Sequence, residues 1–486
     1  MALVDDRTVI LDRYRENTGD NGFHAGHFYH AKAPGGAFLG VVPYRVYAWL
    51  ARRPAFEPWE EWSRYVGRAL YAVTCFVPAL LSAAAGVVLL RLCWRLFGRP
   101  AAAFGAVVLY AFATNAFIYS AFYEAHQMAG ALIAIGLYLA WRARDVAQAP
   151  SPARSWQPRA AAPHRAAKDG RVLRLVGAGL ALGFAAACEF QDTVIVLAIA
   201  IYLAAGIPRR RRIAWLVPGA ALPMALVMVY NWAAFGSPLS LGYAHQWGGW
   251  EALHQGPLLG FGPPRLSVLG ELLFGARLGL FIYTPAAALA VLGGWLWWRS
   301  GRRRAELVLA AGLCALFPIY LSGFANALSG TQFGPRMLVA IMPFAGLMMV
   351  PAVMRAPRLS LFLGLVSGLF VLAGAAVCPE VLSHPSPPLF HRVLVPFAAG
   401  SLPRSVYGFV PLRCPRPVEY EPFNLGMLLG LRGHASLLPY LVWWLAGFLG
   451  ILRRMRMRTG TATRLPALTA SPTQNPSGRN QKTTRC

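Results

Sequence analysis

The chain has 486 residues, of which 57% are hydrophobic and only 13% are charged. Soluble domains of ordinary composition carry about 25% charged residues, so this chain is too apolar to belong to that class. Its net charge of +27 therefore indicates basic loops beside a membrane rather than a nucleic-acid-binding surface.

Most of the 46 Lys and Arg residues lie in short stretches between long apolar runs, and these stretches occur on alternate sides of the runs. The basic stretches are 91–99, 142–174, 209–212, 299–304, 355–358 and the tail after residue 452. The positive-inside rule places them on the cytoplasmic face of a membrane.

Eleven apolar runs are candidate transmembrane helices, since a span needs about 20 apolar residues. They cover approximately residues 69–90, 101–122, 126–141, 172–189, 192–208, 213–231, 278–298, 307–325, 337–354, 359–378 and 436–452. Glu189 and Asp192 interrupt the fourth and fifth runs, and a tight outer turn carrying both acids would accommodate them. The sequence predicts an all-α polytopic membrane protein with about eleven spans.

Three regions follow from this topology. Residues 1–68 form an outer first loop. Residues 69–452 form the membrane domain, with long outer loops at 232–277 and 379–435 and a basic inner loop at 142–174. Residues 453–486 form a disordered cytoplasmic tail.

The N-terminal region is harder to place than the rest. Eleven spans and a cytoplasmic tail put residues 1–68 outside, yet they contain no apolar run that could carry them across. We expect a further span upstream of Met1. The alternative is a cytoplasmic N-terminal arm, which requires one of the eleven spans to be wrong.

Cysteines and histidines give little sign of a metal or redox site. The seven cysteines have no metal-ligand or redox spacing, and only Cys378 and Cys414 fall together on the outer side, where they could form a bridge. His24, His27 and His30 would share a helix face, but a glycine and a proline nearby disfavour a helix. We predict no metal and no other cofactor.

Polar residues collect at the outer ends of the spans and in the outer loops rather than at mid-membrane depth. They include Asp5, Asp6, Asp20, Lys32, Glu124, His126, Glu189, Asp192, Asn231, His245, Asn326 and Arg336. A site there could meet a lipid head group from the side and a second substrate from outside.

Four motifs occur in a fixed order between residues 20 and 344. They read GHFYHAKAPG at 26–35 with a proline at 43, YNWAAFGSPL at 230–239 followed by GY at 242–243, GLFIYTP at 279–285, and SGTQFGPR at 329–336 followed by PF at 343–344. The set resembles integral membrane glycosyltransferases of the GT-C class, in the bacterial family 39-like group related to protein O-mannosyltransferases and aminoarabinose transferases.

The resemblance implies transfer of a sugar from a polyprenyl phosphate, with inversion, at the outer face of a bacterial inner membrane. The acceptor would be a glycan, a lipid or a protein. An outer-loop carboxylate would be the general base, because the acceptor hydroxyl loses a proton as it attacks. Asp5 and Asp6 occupy about the position of that base, and Asp20 matches a second acidic position.

The resemblance also implies cations at the donor phosphate. Lys32 matches the family's lysine, and Arg336 can hold phosphate oxygens bidentately. The acid that usually neighbours the lysine is Ala31 here, and Ala33 separates Lys32 from Pro34. These departures disfavour an acid-dependent metal site.

Five further residues are site candidates: Glu124, His126, Glu189, Asn231 and Tyr243. Glu124 and His126 begin a predicted span, and His126 resembles a histidine common in this subgroup. Asn231 and Tyr243 belong to the second motif.

Two other classes of function share the predicted span count. A lipid or oligosaccharide flippase or transporter should carry polar residues deep in the membrane and usually internal repeats, and neither is evident in this sequence. A non-catalytic membrane assembly factor could keep the fold without the base.

Overall fold

The structure is a computed structural model that describes residues 1–15, 18–54, 59–148, 163–207, 210–249, 259–328, 333–377, 388–402, 424–447 and 449–450. Met1–Leu437 form one compact unit, and Leu438–Cys486 form a second. In the second unit, residues 438–447 are helical.

Helices dominate the first unit. The α-helices are α1 (Gly35–Leu50), α2 (Trp59–Thr74), α3 (Leu80–Phe97), α4 (Pro100–Phe112), α5 (Ala116–Ser120), α6 (Ala125–Gln148), α7 (Pro163–Cys188), α8 (Thr193–Gly206), α9 (Leu216–Phe235), α10 (Leu266–Phe274), α11 (Leu280–Tyr283), α12 (Ala288–Ser300), α13 (Arg304–Ser322), α14 (Met342–Arg355), α15 (Pro357–Val377), α16 (Val395–Ala398) and α17 (Leu425–Leu428). A single antiparallel hairpin of β1 (Asn21–His24) and β2 (His27–His30) interrupts the helical pattern of the described residues.

Short helices of other types link these elements. π-helical turns cover Ala2–Asp6, Cys75–Ala79 and Leu389–Leu394, and 3-10 turns cover Phe190–Asp192, Arg210–Trp215, Gly242–His245, Pro285–Ala287, Arg336–Ile341 and Gly433–Leu437. The turn at Phe190–Asp192 joins α7 to α8 where the sequence predicts a tight turn.

Six helical stretches within the described residues are long and apolar enough to cross a membrane. They are Arg64–Phe97, Gly170–Cys188, Ile213–Phe235, Arg304–Ser322, Arg336–Arg355 and Pro357–Val377. The fold is therefore consistent with an all-α integral membrane protein, and the number eleven stays a prediction.

Two of the predicted spans differ from single helices. The run 101–122 breaks after Phe112, where the side chain of Asn115 donates to the distant carbonyl of Pro335. The run 278–298 is divided near Pro285, which has no N–H to donate. Helix α4 extends only about 20 Å at 1.5 Å per residue, less than the roughly 30 Å of a hydrocarbon core.

Close helix packing builds the core. Gly179 on α7 lies directly against the backbone of Leu216, and Gly219 on α9 lies against Val176, so neither position leaves room for a Cβ. Small residues at such contacts let two membrane helices approach backbone to backbone. Arg336–Arg355, which contains α14, is the most enclosed of the six candidate spanning stretches, with 89% of its most apolar segment buried.

Several sequence predictions fall on residues outside this description. The Cys378–Cys414 bridge is one of them. Others are the first four residues of the fourth motif, at 329–332, and the tail from residue 451.

Candidate functional site

Backbone contacts at glycines bring the first and second motifs together. Gly242 lies against the first motif, and a Cβ on it would be only 2.6 Å from the carbonyl oxygen of Ala31. Gly35, at the start of α1, is pressed against Ala187 at the end of α7. The Lys32 segment is thus held between Tyr243 and the turn that carries Glu189.

A second set of contacts fixes the end of the fourth motif. The Tyr283 ring of the third motif packs edge-on against Phe333, with ring centres 4.9 Å apart. The hydroxyl of Tyr119 donates to the Phe333 carbonyl at 3.2 Å and accepts from the Phe333 N–H at 3.1 Å. Asn115 donates to the carbonyl of Pro335, the residue before Arg336. Arg336 therefore begins its 3-10 turn directly after a segment of backbone that these contacts anchor.

A chain of charged and polar side chains runs inward from Arg336. Its Nη1 donates to Glu124 Oε1 at 2.9 Å. Nε2 of His126 lies 3.8 Å from the same oxygen, while Nδ1 of His126 lies 3.2 Å from Glu189 Oε1. Gln191 donates to the other oxygen of Glu189 at 2.7 Å. Residues more than 200 positions apart in the chain are thereby connected.

Lys32 and Asp20 form the more exposed side of the same cluster. Lys32 Nζ is 3.3 Å from Asp20 Oδ1, and 46% of the Asp20 side chain is exposed. Burial acts most strongly on Asp20 and raises its pKa, but the charges of Lys32, then of His30 and Arg336, together bring the pKa below its ordinary value. Asp20 is therefore ionised at neutral pH.

The two glutamates behave in the opposite way. Burial raises the pKa of Glu124, against the lowering effect of Arg336 and Lys32. Burial also raises the pKa of Glu189, to about 7, despite the attraction of Lys32. Burial together with the charges of Glu189 and Asp20 raises the pKa of Tyr243 well above its ordinary value, so its phenol stays neutral.

Together these residues form what we call the Lys32–Arg336 cluster, which consists of Asp20, Lys32, Glu124, His126, Glu189, Tyr243 and Arg336. It combines the basic side chains of Lys32 and Arg336 with the carboxylate of Asp20, which is ionised at neutral pH. Such a set can hold an anionic group and accept a proton from a neutral one.

Asp5 and Asp6 lie in a different network. Asp5 accepts from the Tyr44 hydroxyl at 2.6 Å and lies 3.5 Å from Arg53 Nη1. Asp6 accepts from the Tyr14 hydroxyl at 2.5 Å and lies 3.8 Å from the same Arg53 nitrogen. Only 6% of the Asp5 side chain is exposed. The ion pairs recorded for these two acids among the described residues involve neither cation of the Lys32–Arg336 cluster.

Asn231 is placed by the structure in a loop contact. Its side-chain amide donates to the carbonyl of Pro238 at 3.2 Å and is buried. That bond closes the FGSPL segment on the end of α9, and Tyr230 ties the same helix end to the His30 carbonyl at 2.8 Å. Asn231 thus shapes the second motif.

His30 and Gln191 belong to the site although sequence reasoning did not place them there. His30 contributes to the lowered pKa of Asp20, and Gln191 orients Glu189 by donating a hydrogen bond to it. Strand periodicity offered a signal for His30, since an extended segment through the first motif would place His30 and Lys32, two residues apart, on one side. Gln191 gave no comparable signal.

The three histidines of the first motif are on a hairpin. His24 and His27 are paired across the strands, while His30 pairs with Asn21. No group of three potential metal-ligating side chains occurs in the part of the chain that the structure describes.

Comparison with known proteins finds no matching family model, no matching curated protein and no matching solved structure. The resemblance to GT-C glycosyltransferases rests on the four sequence motifs alone.

Proposed function

We propose that this protein is a membrane glycosyltransferase that moves a sugar from a polyprenyl phosphate to an acceptor hydroxyl on the outer face of the membrane, with inversion. The observation that carries the proposal is the Lys32–Arg336 cluster. Three of the four motifs supply Lys32, Tyr243 and Arg336. The other members are Asp20, Glu124, His126 and Glu189, and the cluster lies beside helices apolar enough for a membrane.

The two cations suit the donor. The leaving group of the reaction is a lipid phosphate, and its negative charge grows as the bond to the sugar breaks. The Arg336 guanidinium uses Nη1 for Glu124, and its remaining donors form a planar fork that matches phosphate oxygens. Lys32 adds a second positive charge and is itself oriented by Asp20.

Asp20 is the carboxylate best placed to act as the base. It is ionised, it is partly exposed, and it is in contact with Lys32. A carboxylate in that position can accept the proton of a hydroxyl that attacks the sugar carbon while Lys32 faces the phosphate. Asp5 and Asp6 are engaged with Arg53 and two tyrosines, and their role as base stays a prediction.

The test is a transfer assay with the full chain reconstituted in liposomes. A panel of polyprenyl phosphates carrying different radiolabelled sugars is supplied, and release of label from the lipid is measured. We expect release from at least one donor by the unchanged protein, none above background by Asp20→Asn, and normal release by Arg355→Ala, a variant at the far end of α14. Proton NMR of the product gives its anomeric configuration, which is expected to be opposite to that of the donor.

The same liposomes separate the alternative functions. A flippase would move a fluorescent lipid-linked sugar between leaflets without cleaving it. Cleavage of no donor in the panel together with such movement would overturn the proposed transfer reaction. If the protein neither cleaves a donor nor moves the lipid between leaflets, the result favours a non-catalytic role.

A further inference from the structure

The β-hairpin carries an exposed group of three aromatic rings that the Lys32–Arg336 cluster does not use. Phe23 and Phe28 are directly opposed across the two strands, with ring centres 5.1 Å apart. The Trp247 ring lies 5.2 Å from Phe23 and 6.1 Å from Phe28. Trp247 is 50% exposed and Phe23 is 38% exposed. We call these three residues the aromatic platform.

The other side of the hairpin shows why this exposure is informative. Tyr29, on the opposite face of β2, is buried in an apolar cluster with Tyr230, Ala234 and Phe235. One face of the hairpin is therefore packed against the protein. The aromatic platform lies on the other face, which the described residues leave exposed. Contiguous exposed apolar groups usually mark an interaction site.

Backbone hydrogen bonds tie the aromatic platform to the candidate site. Gly22 and Gln246 form an isolated antiparallel bridge, and the Trp247 N–H donates to the Asn21 carbonyl at 2.8 Å. Asp20 immediately precedes β1, so Phe23 is about 10 Å further along the chain at roughly 3.3 Å per residue. Trp247 follows Tyr243 by four positions. The platform and the candidate base are thus parts of one rigid arrangement.

Polar groups surround the rings. Asp12 accepts from the Phe28 N–H at 2.7 Å and pairs with His27 Nδ1 at 2.7 Å, and both side chains are close to half exposed. The guanidinium of Arg15 lies 5.3 Å from the centre of the Phe28 ring. Ionised groups of both signs at this edge are costly to place in hydrocarbon, so the platform faces water or head groups rather than lipid chains.

We propose that the aromatic platform binds the sugar of a glycan acceptor and positions its hydroxyl toward Asp20. A pyranose has a face of C–H bonds with partial positive charge, which an aromatic ring attracts through its electron-rich face. Its rim of hydroxyls suits the carboxylate, imidazole and guanidinium side chains that border the rings. Stacking of a pyranose is the arrangement that uses both the rings and the polar side chains around them. This inference rests on the proposed transferase function for the identification of the ligand as an acceptor.

The binding step can be tested without any turnover. The full chain in lipid nanodiscs is mixed with a panel of neutral soluble sugars, namely methyl mannoside, methyl glucoside, cellobiose and chitobiose, and saturation-transfer NMR reports which protons contact the protein. We expect contacts from the C–H face of at least one sugar. The signal should fall about fivefold or more in Phe23→Ala and Trp247→Ala and should return in Trp247→Tyr, which restores an aromatic face.

Trp49→Ala is the matched control, since Trp49 is 82% exposed on α1 and lies outside the platform. Its sugar signal should equal that of the unchanged protein. Equal signals in Trp247→Ala and Trp49→Ala, or no signal from any sugar, would overturn the inference. Contact of Trp247 with spin-labelled lipids, without any sugar contact, would assign the platform to the membrane interface. That result would likewise overturn the inference.

The outcome is separable from that of the transfer assay. If donor cleavage occurs but Trp247→Ala leaves the acceptor KM unchanged, the platform assignment is wrong and the transferase stands. If sugars bind at the platform but no donor is cleaved, the transferase is wrong, and the platform remains as a sugar site. When both hold, Trp247→Ala should raise the acceptor KM about five- to tenfold and leave the donor KM unaltered.

Discussion

Two acidic regions of this protein have similar composition and very different surroundings. Asp5 accepts a hydrogen bond from Tyr44 and Asp6 accepts one from Tyr14, and both carboxylates lie within 3.8 Å of Arg53 Nη1. Asp20 lies half exposed beside Lys32, and among the described residues the nearby Arg336 pairs with the carboxylate of Glu124. A carboxylate whose partners are internal stabilises a fold, whereas one that shares an open cluster with cations can meet a substrate. The sequence ranked the first region above the second, and the function proposed above ranks them in the opposite order.

The largest expected difference between the two regions is in turnover. Asp20→Asn keeps the size of the side chain but removes its proton affinity, and we expect it to lower kcat about 10³-fold, within the range for loss of a general base. Asp5→Asn and Asp6→Asn should retain most of the activity per folded molecule. The measurement is release of labelled sugar in liposomes, normalised to folded protein.

The opposite result would restore the assignment made from sequence. If Asp5→Asn or Asp6→Asn abolishes transfer while donor binding persists, and Asp20→Asn is mild, the base lies in the first region and the Asp20 cluster serves another purpose.

The second expected effect concerns the donor phosphate. Arg336→Ala should reduce kcat/KM for the donor about 10²-fold, because a charge-assisted contact to the developing phosphate is lost. Arg355→Ala removes an exposed arginine from the other end of the same spanning stretch and serves as the control. Arg336→Lys should fall between them, since lysine keeps the charge and loses the planar fork. Equal, small effects of both alanine variants would leave Arg336 only a structural or interfacial role.

The stability of the fold should depend more on Asp5 in the first region than on Asp20 in the second. Asp5 is almost fully enclosed, so Asp5→Asn leaves Arg53 short of one carboxylate and should lower the free energy of unfolding by about 1–3 kcal/mol. Asp20→Asn changes a half-exposed side chain and should lower the melting temperature less than Asp5→Asn does. Thermal unfolding of the purified protein in detergent measures both, and a larger loss for Asp20→Asn would contradict the division into an internal and an open region.

The smallest expected effect is on pH dependence. The pKa of Glu189 is about 7, so this residue is mostly neutral at pH 6 and mostly ionised at pH 8. Ionisation adds a negative charge to the cluster and repels the donor phosphate, so the donor KM should rise several-fold as the pH increases through 7. The donor is a phosphate diester and does not itself titrate in this window.

Glu189→Gln is the matching variant, because it imitates the protonated acid at every pH. Its donor KM should stay near the low-pH value of the unchanged protein. A KM that rises equally in both proteins would place the titrating group elsewhere.

Much of the helical framework was accessible from the sequence because a membrane helix is a local property. A run of apolar residues long enough to span satisfies its own backbone hydrogen bonds, whatever its neighbours are. Six such runs are helices of the required length here. The helix break within 101–122 was not predicted, since Asn115 at that break bonds to Pro335, a residue 220 positions away, and no local pattern indicates that contact.

The sequence by itself determined the apolar helices, the alternation of basic loops and the set of polar residues available for a site. Only the tertiary structure decided which of those residues meet. Asp20 joins Lys32 because the hairpin reverses the chain between them, and Arg336 joins Glu124 because Tyr119 and Asn115 anchor its motif. Charges act over a few ångströms in space and not along the chain, so the division between an internal acidic pair and an open cluster could emerge only once distant segments were packed together.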